Sequence, residues 1–264
     1  MNLNLNNKNA LVCGSTAGIG KATAIQLANE GAKVTLIARN EDKLKQVLSE
    51  LPNPENHSYI VADFSNPEEL GLKVAFFIKN RHEEDFGFHI LVNNSGGPKG
   101  GPVFSAQLDE FENAFTQHLK CNHILVQTVA PFMKREGYGR IINVISTSVK
   151  QPLDGLGVSN TIRGAVANWS KTLANELGQY GITVNNVLPG ATGTERLTEI
   201  IKNKSAKTGM SEDEAANDMM QAVPAKRFAK PEELAYAITF LASECASYIN
   251  GINLPVDGGR TKSL

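Results

Sequence analysis

Short apolar runs alternate with amphipathic stretches along nearly all of this 264-residue chain, and that alternation leaves few folds open. Residues 10–13, 34–38, 59–62, 90–93, 140–145 and 183–188 read as strands buried on both faces, and 252–256 adds a last short one. Residues 21–30, 67–80, 109–134 and 165–179 carry helical spacing between them. Strand and helix in turn dictate a parallel, doubly wound sheet with helices on both faces, an α/β fold of about seven strands. No Pro/Gly/Ser linker or internal repeat divides the chain, so residues 1–264 read as one domain, a size that a single core can fill. One stretch breaks the pattern. Residues 195–223 are polar, contain Lys and Met, and separate the strand ending at Leu188 from a helix starting near Pro231. Insertions after the carboxyl ends of strands cover the ligand crevice of an open sheet, so 195–223 is read as a substrate lid.

A formal net charge of −1 with no basic, aromatic-studded stripe argues against a nucleic-acid partner. Residues 1–9 are polar and Asn-rich, and no apolar run reaches membrane-spanning length, so a soluble, cytoplasmic protein with no membrane partner is expected. Cys13, Cys121 and Cys245 are odd in number and widely spaced, which points to neither a disulfide framework nor a metal site. All three read as small buried hydrophobes.

The segment Gly14-Ser15-Thr16-Ala17-Gly18-Ile19-Gly20 follows the first strand and opens the first helix. Glycines serve there because the chain turns sharply, the backbone approaches a pyrophosphate, and the helix packs tightly on the strand. The amides of that helix start then face the phosphates. At the end of the second strand, where an NAD-preferring protein often carries Asp or Glu, stand Arg39 and Asn40. A guanidinium suits a 2′-phosphate that a carboxylate would repel, so NADP(H) is favoured over NAD(H). Lys43 and Lys45 nearby leave a plain solvated arginine as the alternative.

At this point the chain resembles the short-chain dehydrogenase/reductase family over nearly its whole length, in particular the 3-oxoacyl-carrier-protein reductase branch. The resemblance implies a single-domain Rossmann-type sheet and a cofactor contact at Asp63, with Phe64 beside it, to the adenine ring. Asn93-Asn94-Ser95-Gly96-Gly97 is similar to the family's Asn-Asn-Ala-Gly segment, which stabilises the sheet and lines the cleft. Asn122 matches the helix asparagine of the catalytic tetrad. Pro189-Gly190, with Thr192 and Thr194 after it, resembles the motif at the nicotinamide end, and Ser146 matches the family serine. The tail, from Ile249-Asn250-Gly251 to Val256-Asp257-Gly258-Gly259, is similar to that of the same branch.

The family's Tyr-x-x-x-Lys motif is absent. Ser159 stands at the tyrosine position, thirteen residues after Ser146, and Arg163 stands at the lysine position one helical turn later. A serine hydroxyl is far less acidic than a phenol and shorter by a ring, while Arg163 keeps a cation that can hold ribose hydroxyls. Lys150, Asp154 and His118 are other possible proton donors, and neither Tyr138 nor Tyr180 fits the site. Two readings stay open: an NADP-dependent reductase of a ketone or 3-oxoacyl substrate with an altered proton relay, or a catalytically silent dinucleotide-binding relative acting as sensor, scaffold or oligomer partner. The resemblance further implies a homotetramer or homodimer, built through 109–134, 159–179 and 252–256.

Overall fold

The computed structural model describes residues 3–81 and 85–263; Met1, Asn2 and Leu264, included in the reading of the termini, lie outside the described residues. Seven strands form one sheet: β1 (Asn9–Cys13), β2 (Lys33–Ala38), β3 (Ser58–Val61), β4 (Ile90–Asn93), β5 (Gly139–Val144), β6 (Ile182–Pro189) and β7 (Asn253–Val256). Their order is β3-β2-β1-β4-β5-β6-β7, and every adjacent pair is parallel. The chain therefore builds outward from β1 to β3, then crosses back to place β4 on the other side of β1. Loops leaving β1 and β4 diverge at that reversal and open a crevice at the carboxyl edge of the sheet.

Alternate residues of each strand feed two cores. Val12, Leu36 and Val92 pack under α1 (Gly18–Asn29), α2 (Glu41–Glu50) and α9 (Pro231–Leu241), which contribute Leu27, Leu44 and Ile238. Leu11, Ile37 and Leu91 point the other way, under α3 (Pro67–Lys79), α5 (Cys121–Glu136) and α6 (Gly157–Leu177). A period of two on a sheet covered on both sides explains why the central strands are continuously apolar.

Several expectations are corrected. β3 is only half-buried, because it lies at a sheet edge with one neighbour; β7, the added strand, lies at the other edge, where Pro255 is accommodated. The helix expected over 109–134 is interrupted: α4 (Leu108–Phe115) and α5 are joined by a π-helical turn at Thr116–Lys120. Helix α2 went unanticipated; Asn40 caps it, accepting from the Lys43 amide at 2.9 Å. Cys13 and Cys121 are buried as expected, but Cys245 is exposed in the short turn Glu244–Ala246 beyond the end of α9. The stretch after β6 forms α7 (Glu195–Thr208) and α8 (Glu212–Gln221), turned at Gly209. Among the described residues, no helix is long and apolar enough to cross a membrane.

Candidate active site

The glycine loop is shaped by contacts that a side chain would break. Gly14 has φ +58°, and a Cβ there would stand 2.7 Å from the Asn94 carbonyl oxygen; on Gly20 it would stand 2.2 Å from the Gly14 oxygen. Helix α1 is thereby pressed onto β1, while Asn94 Nδ2 donates to the Cys13 and Gly14 oxygens at 3.3 Å. The helix start itself is left open to a ligand: Ala17 at the N-cap supplies no side-chain bond, and the first turn carries no acidic residue. Uncapped amides and the positive end of the helix dipole suit a phosphate, so the residues present fit a dinucleotide.

That loop floors a cleft of ≈ 1070 Å³. Gly14, Thr16, Gly18 and Ile19 line its centre; Arg39, Asn40 and Lys43 line it beyond β2, and Asp63 and Phe64 beyond β3. Ser95 and Gly96 follow β4, and Pro189, Gly190, Thr192 and Thr194 follow β6. Ser146, Ser159 and Arg163, carried by the end of β5 and by α6, line the same cleft. Helix α7 adds Arg196, Leu197 and Ile200 to the lining. Among the described residues, no group of three or more His, Cys, Asp or Glu is placed to hold a metal ion.

Four residues read as site members do not line this cleft. Gly20 acts through packing, as described. Ser15 is fully buried and its Oγ accepts from the Ile37 amide at 3.0 Å, tying β1 to β2. Asn93 Nδ2 donates to Asn143 Oδ1 at 2.8 Å, at the head of a buried amide ladder that continues through Asn186 to Asn253 across β5, β6 and β7. Asn122 is buried in α5, just beyond the π turn. His118, inside that turn, is the residue beside the site: it is 1% exposed, and its Nδ1 lies 2.6 Å from Ser95 Oγ. Burial first, and the Arg163 charge second, push His118 down to about 2, so it is neutral at every working pH. Lys150 and Asp154 are not on the cleft wall, and the Tyr138 hydroxyl donates to the Ala242 oxygen at 2.8 Å, far from it.

Arg163 is buried and donates from Nη1 to the Val144 oxygen at 3.0 Å. Burial and, after it, the nearby charge of Arg196 lower it to about 10, which still leaves a cation at neutral pH. Ser146 Oγ accepts from the Ser148 amide at 3.1 Å, so its own hydrogen is available to another oxygen. Sequence reasoning passed over Arg196, although it stands two residues after Thr194.

Residues 14–261 match the family model described as enoyl-(acyl carrier protein) reductase. The chain belongs to the short-chain dehydrogenase/reductase family. Within it, 3-oxoacyl-[acyl-carrier-protein] reductase FabG of Staphylococcus epidermidis is 32% identical over 257 residues, covering 96% of this chain and 98% of that protein. The NADPH-dependent reductase BacG of Bacillus subtilis is 28% identical, covering 98% and 100%. Among solved structures, L-sorbose reductase from Gluconobacter frateurii, complexed with NADPH and L-sorbose, superposes with a TM-score of 0.91 at 31% identity, with 100% of both chains covered.

The buried histidine should make the fold sensitive to acid. Unfolding releases His118 to its ordinary value near 6.5, so the unfolded chain binds the extra proton first as pH falls. Stability from this group is complete above about pH 6.5 and declines by about 1.4 kcal/mol per unit below it. Urea midpoints measured at pH 7, 6 and 5 should fall on acidification, and His118→Gln should flatten that slope.

Proposed function

We propose that this chain is an NADP(H)-dependent reductase of a ketone or 3-oxoacyl substrate, working without the family's tyrosine and lysine. The observation that carries the reading is one continuous cleft joining an uncapped helix start, a basic end at Arg39 and Lys43, and the Ser146–Ser159–Arg163 wall. In this reading the first-turn amides of α1, with Thr16, Gly18 and Ile19, hold the diphosphate. Arg39 and Lys43 hold the 2′-phosphate, and Asp63 and Phe64 border the adenine. Ser95, Gly96, Pro189, Gly190, Thr192 and Thr194 border the nicotinamide half, and Arg163 takes the ribose hydroxyls. The bound cofactor supplies the hydride. Ser146 Oγ donates to the substrate oxygen, and Ser159 holds the water that delivers the proton. We read 195–223 as the lid, supported by the α7 residues on the cleft wall. A reducing, cytoplasmic setting suits the buried free thiols of Cys13 and Cys121. A homo-oligomer suits the exposed Leu108 and Phe115 of α4 and Tyr248 before β7.

The test is loss of nicotinamide absorbance with NADPH and a panel of β-keto thioesters, quinones and small ketones. Turnover of any member supports the reading; tight NADPH binding with none would favour a silent relative. Arg39→Asp should weaken NADPH binding about 10- to 100-fold, the value of a charge-assisted contact, while sparing NADH. Fluorescence titrations of both cofactors measure this, and equal affinities before and after would remove the 2′-phosphate assignment.

A further inference from the structure

We propose that Arg196 selects the substrate of this reductase by binding a carboxylate, so that the carbonyl compound it accepts is a keto acid. Arg196 is the second residue of α7, and its guanidinium is seated rather than loose. It lies against Gly97, where a Cβ would stand 3.4 Å from Nε and 3.6 Å from Nη2. Nη2 donates to the Pro98 oxygen across the cleft mouth, and Nη1 pairs with Glu199 at 3.1 Å. The Glu199 carboxylate is mostly exposed, and such a pair neutralises little of the charge.

Arg196 lines the same cleft as Arg163, close enough for its charge to act on that buried guanidinium. Two like charges facing one partly enclosed space repel, and an oxyanion between them reverses the sign of the interaction. The cleft lining holds two carboxylates, Asp63 after β3 and Glu195 beside Arg196, against Arg39, Lys43, Arg163 and Arg196. The diphosphate already has its own seat at the open start of α1. The anion left to satisfy the Arg163 and Arg196 pair therefore belongs to the substrate. An arginine fork matches a planar carboxylate, and the N-terminal end of α7 adds to the attraction. Leu197 and Ile200, on the same wall, offer an apolar surface to the carbon chain.

This inference rests on the reductase reading, and the test keeps the two apart. Rates of NADPH oxidation are measured with acetoacetate and levulinate and with their ethyl esters. Binding of levulinate and of ethyl levulinate to the NADPH-loaded chain is followed separately through nicotinamide fluorescence. The wild type should favour the acids over the esters in both measurements. Arg196→Gln should reduce the acid-to-ester ratio of kcat/KM about 10- to 100-fold, mainly through KM, with Arg196→Lys recovering part of it. Equal loss for acid and ester, or a loss confined to NADPH affinity, overturns the assignment and makes Arg196 a structural or diphosphate residue. Selective levulinate binding without turnover of any compound would uphold Arg196 and count against the reductase reading.

Discussion

Gly20→Ala should abolish dinucleotide binding and destabilise the fold together. The added methyl would be placed 2.2 Å from the Gly14 oxygen and 2.7 Å from Asn94 Nδ2, both held by the tight turn after β1. Neither neighbour is the free end of a flexible side chain, so α1 must lift away from the strand. Overpacking of this kind costs about 1–3 kcal/mol. The amides at the start of α1 are displaced with it, and misplacing a phosphate cradle by an ångström removes most of its hydrogen bonds. An NADPH affinity at least about 100-fold weaker is expected, along with a lower urea midpoint. Fluorescence titration and equilibrium unfolding measure the two effects. Unchanged binding would show that the loop is not the phosphate seat.

The second large effect is a gain. Ser159→Tyr combined with Arg163→Lys should raise the reduction rate about 100-fold, the lower range of what a positioned general acid contributes. Ser159 already lines the cleft that Ser146 lines, so a phenol there should extend toward the carbonyl that Ser146 is proposed to hold. The ammonium then lowers the phenol pKa, a task the guanidinium tied to the Val144 oxygen performs poorly. Ile162 should be left alone. It is 5% exposed and packs with Ala114 and Val158 between α4 and α6, where a hydroxyl would be buried against apolar groups. Steady-state kcat on any substrate of the panel reports the outcome, and no gain would mean that the reacting carbonyl lies away from this wall.

Much of the fold was legible because its signals are local and repeated. Period-two burial on a sheet covered on both sides leaves uninterrupted apolar runs, and each run found in the chain became a strand within a residue or so of its expected ends. The cleft was legible where a residue follows a strand directly, as Thr16, Arg39, Asp63, Ser95 and Ser146 do, since the carboxyl edge of a parallel sheet is one edge. Ser15 and Asn93 were misplaced because a residue's number in a motif does not say which way its side chain turns at the strand end. Asn122 lies off the cleft, past a π turn that nothing in the composition of 116–120 announces.

Residue order alone determined the doubly wound architecture, the glycine turn and the absence of the Tyr-x-x-x-Lys motif, since each is a property of neighbours along the chain. Only the tertiary structure decided that His118 rather than Asn122 stands beside Arg163, and that Arg196 crosses from α7 to meet Gly97 and Pro98. The second of those meetings joins segments 98 residues apart in sequence, and such pairings are set by how helices pack over a sheet edge, which no local pattern encodes. The glycine loop names the ligand; the far side of the cleft names what is done with it.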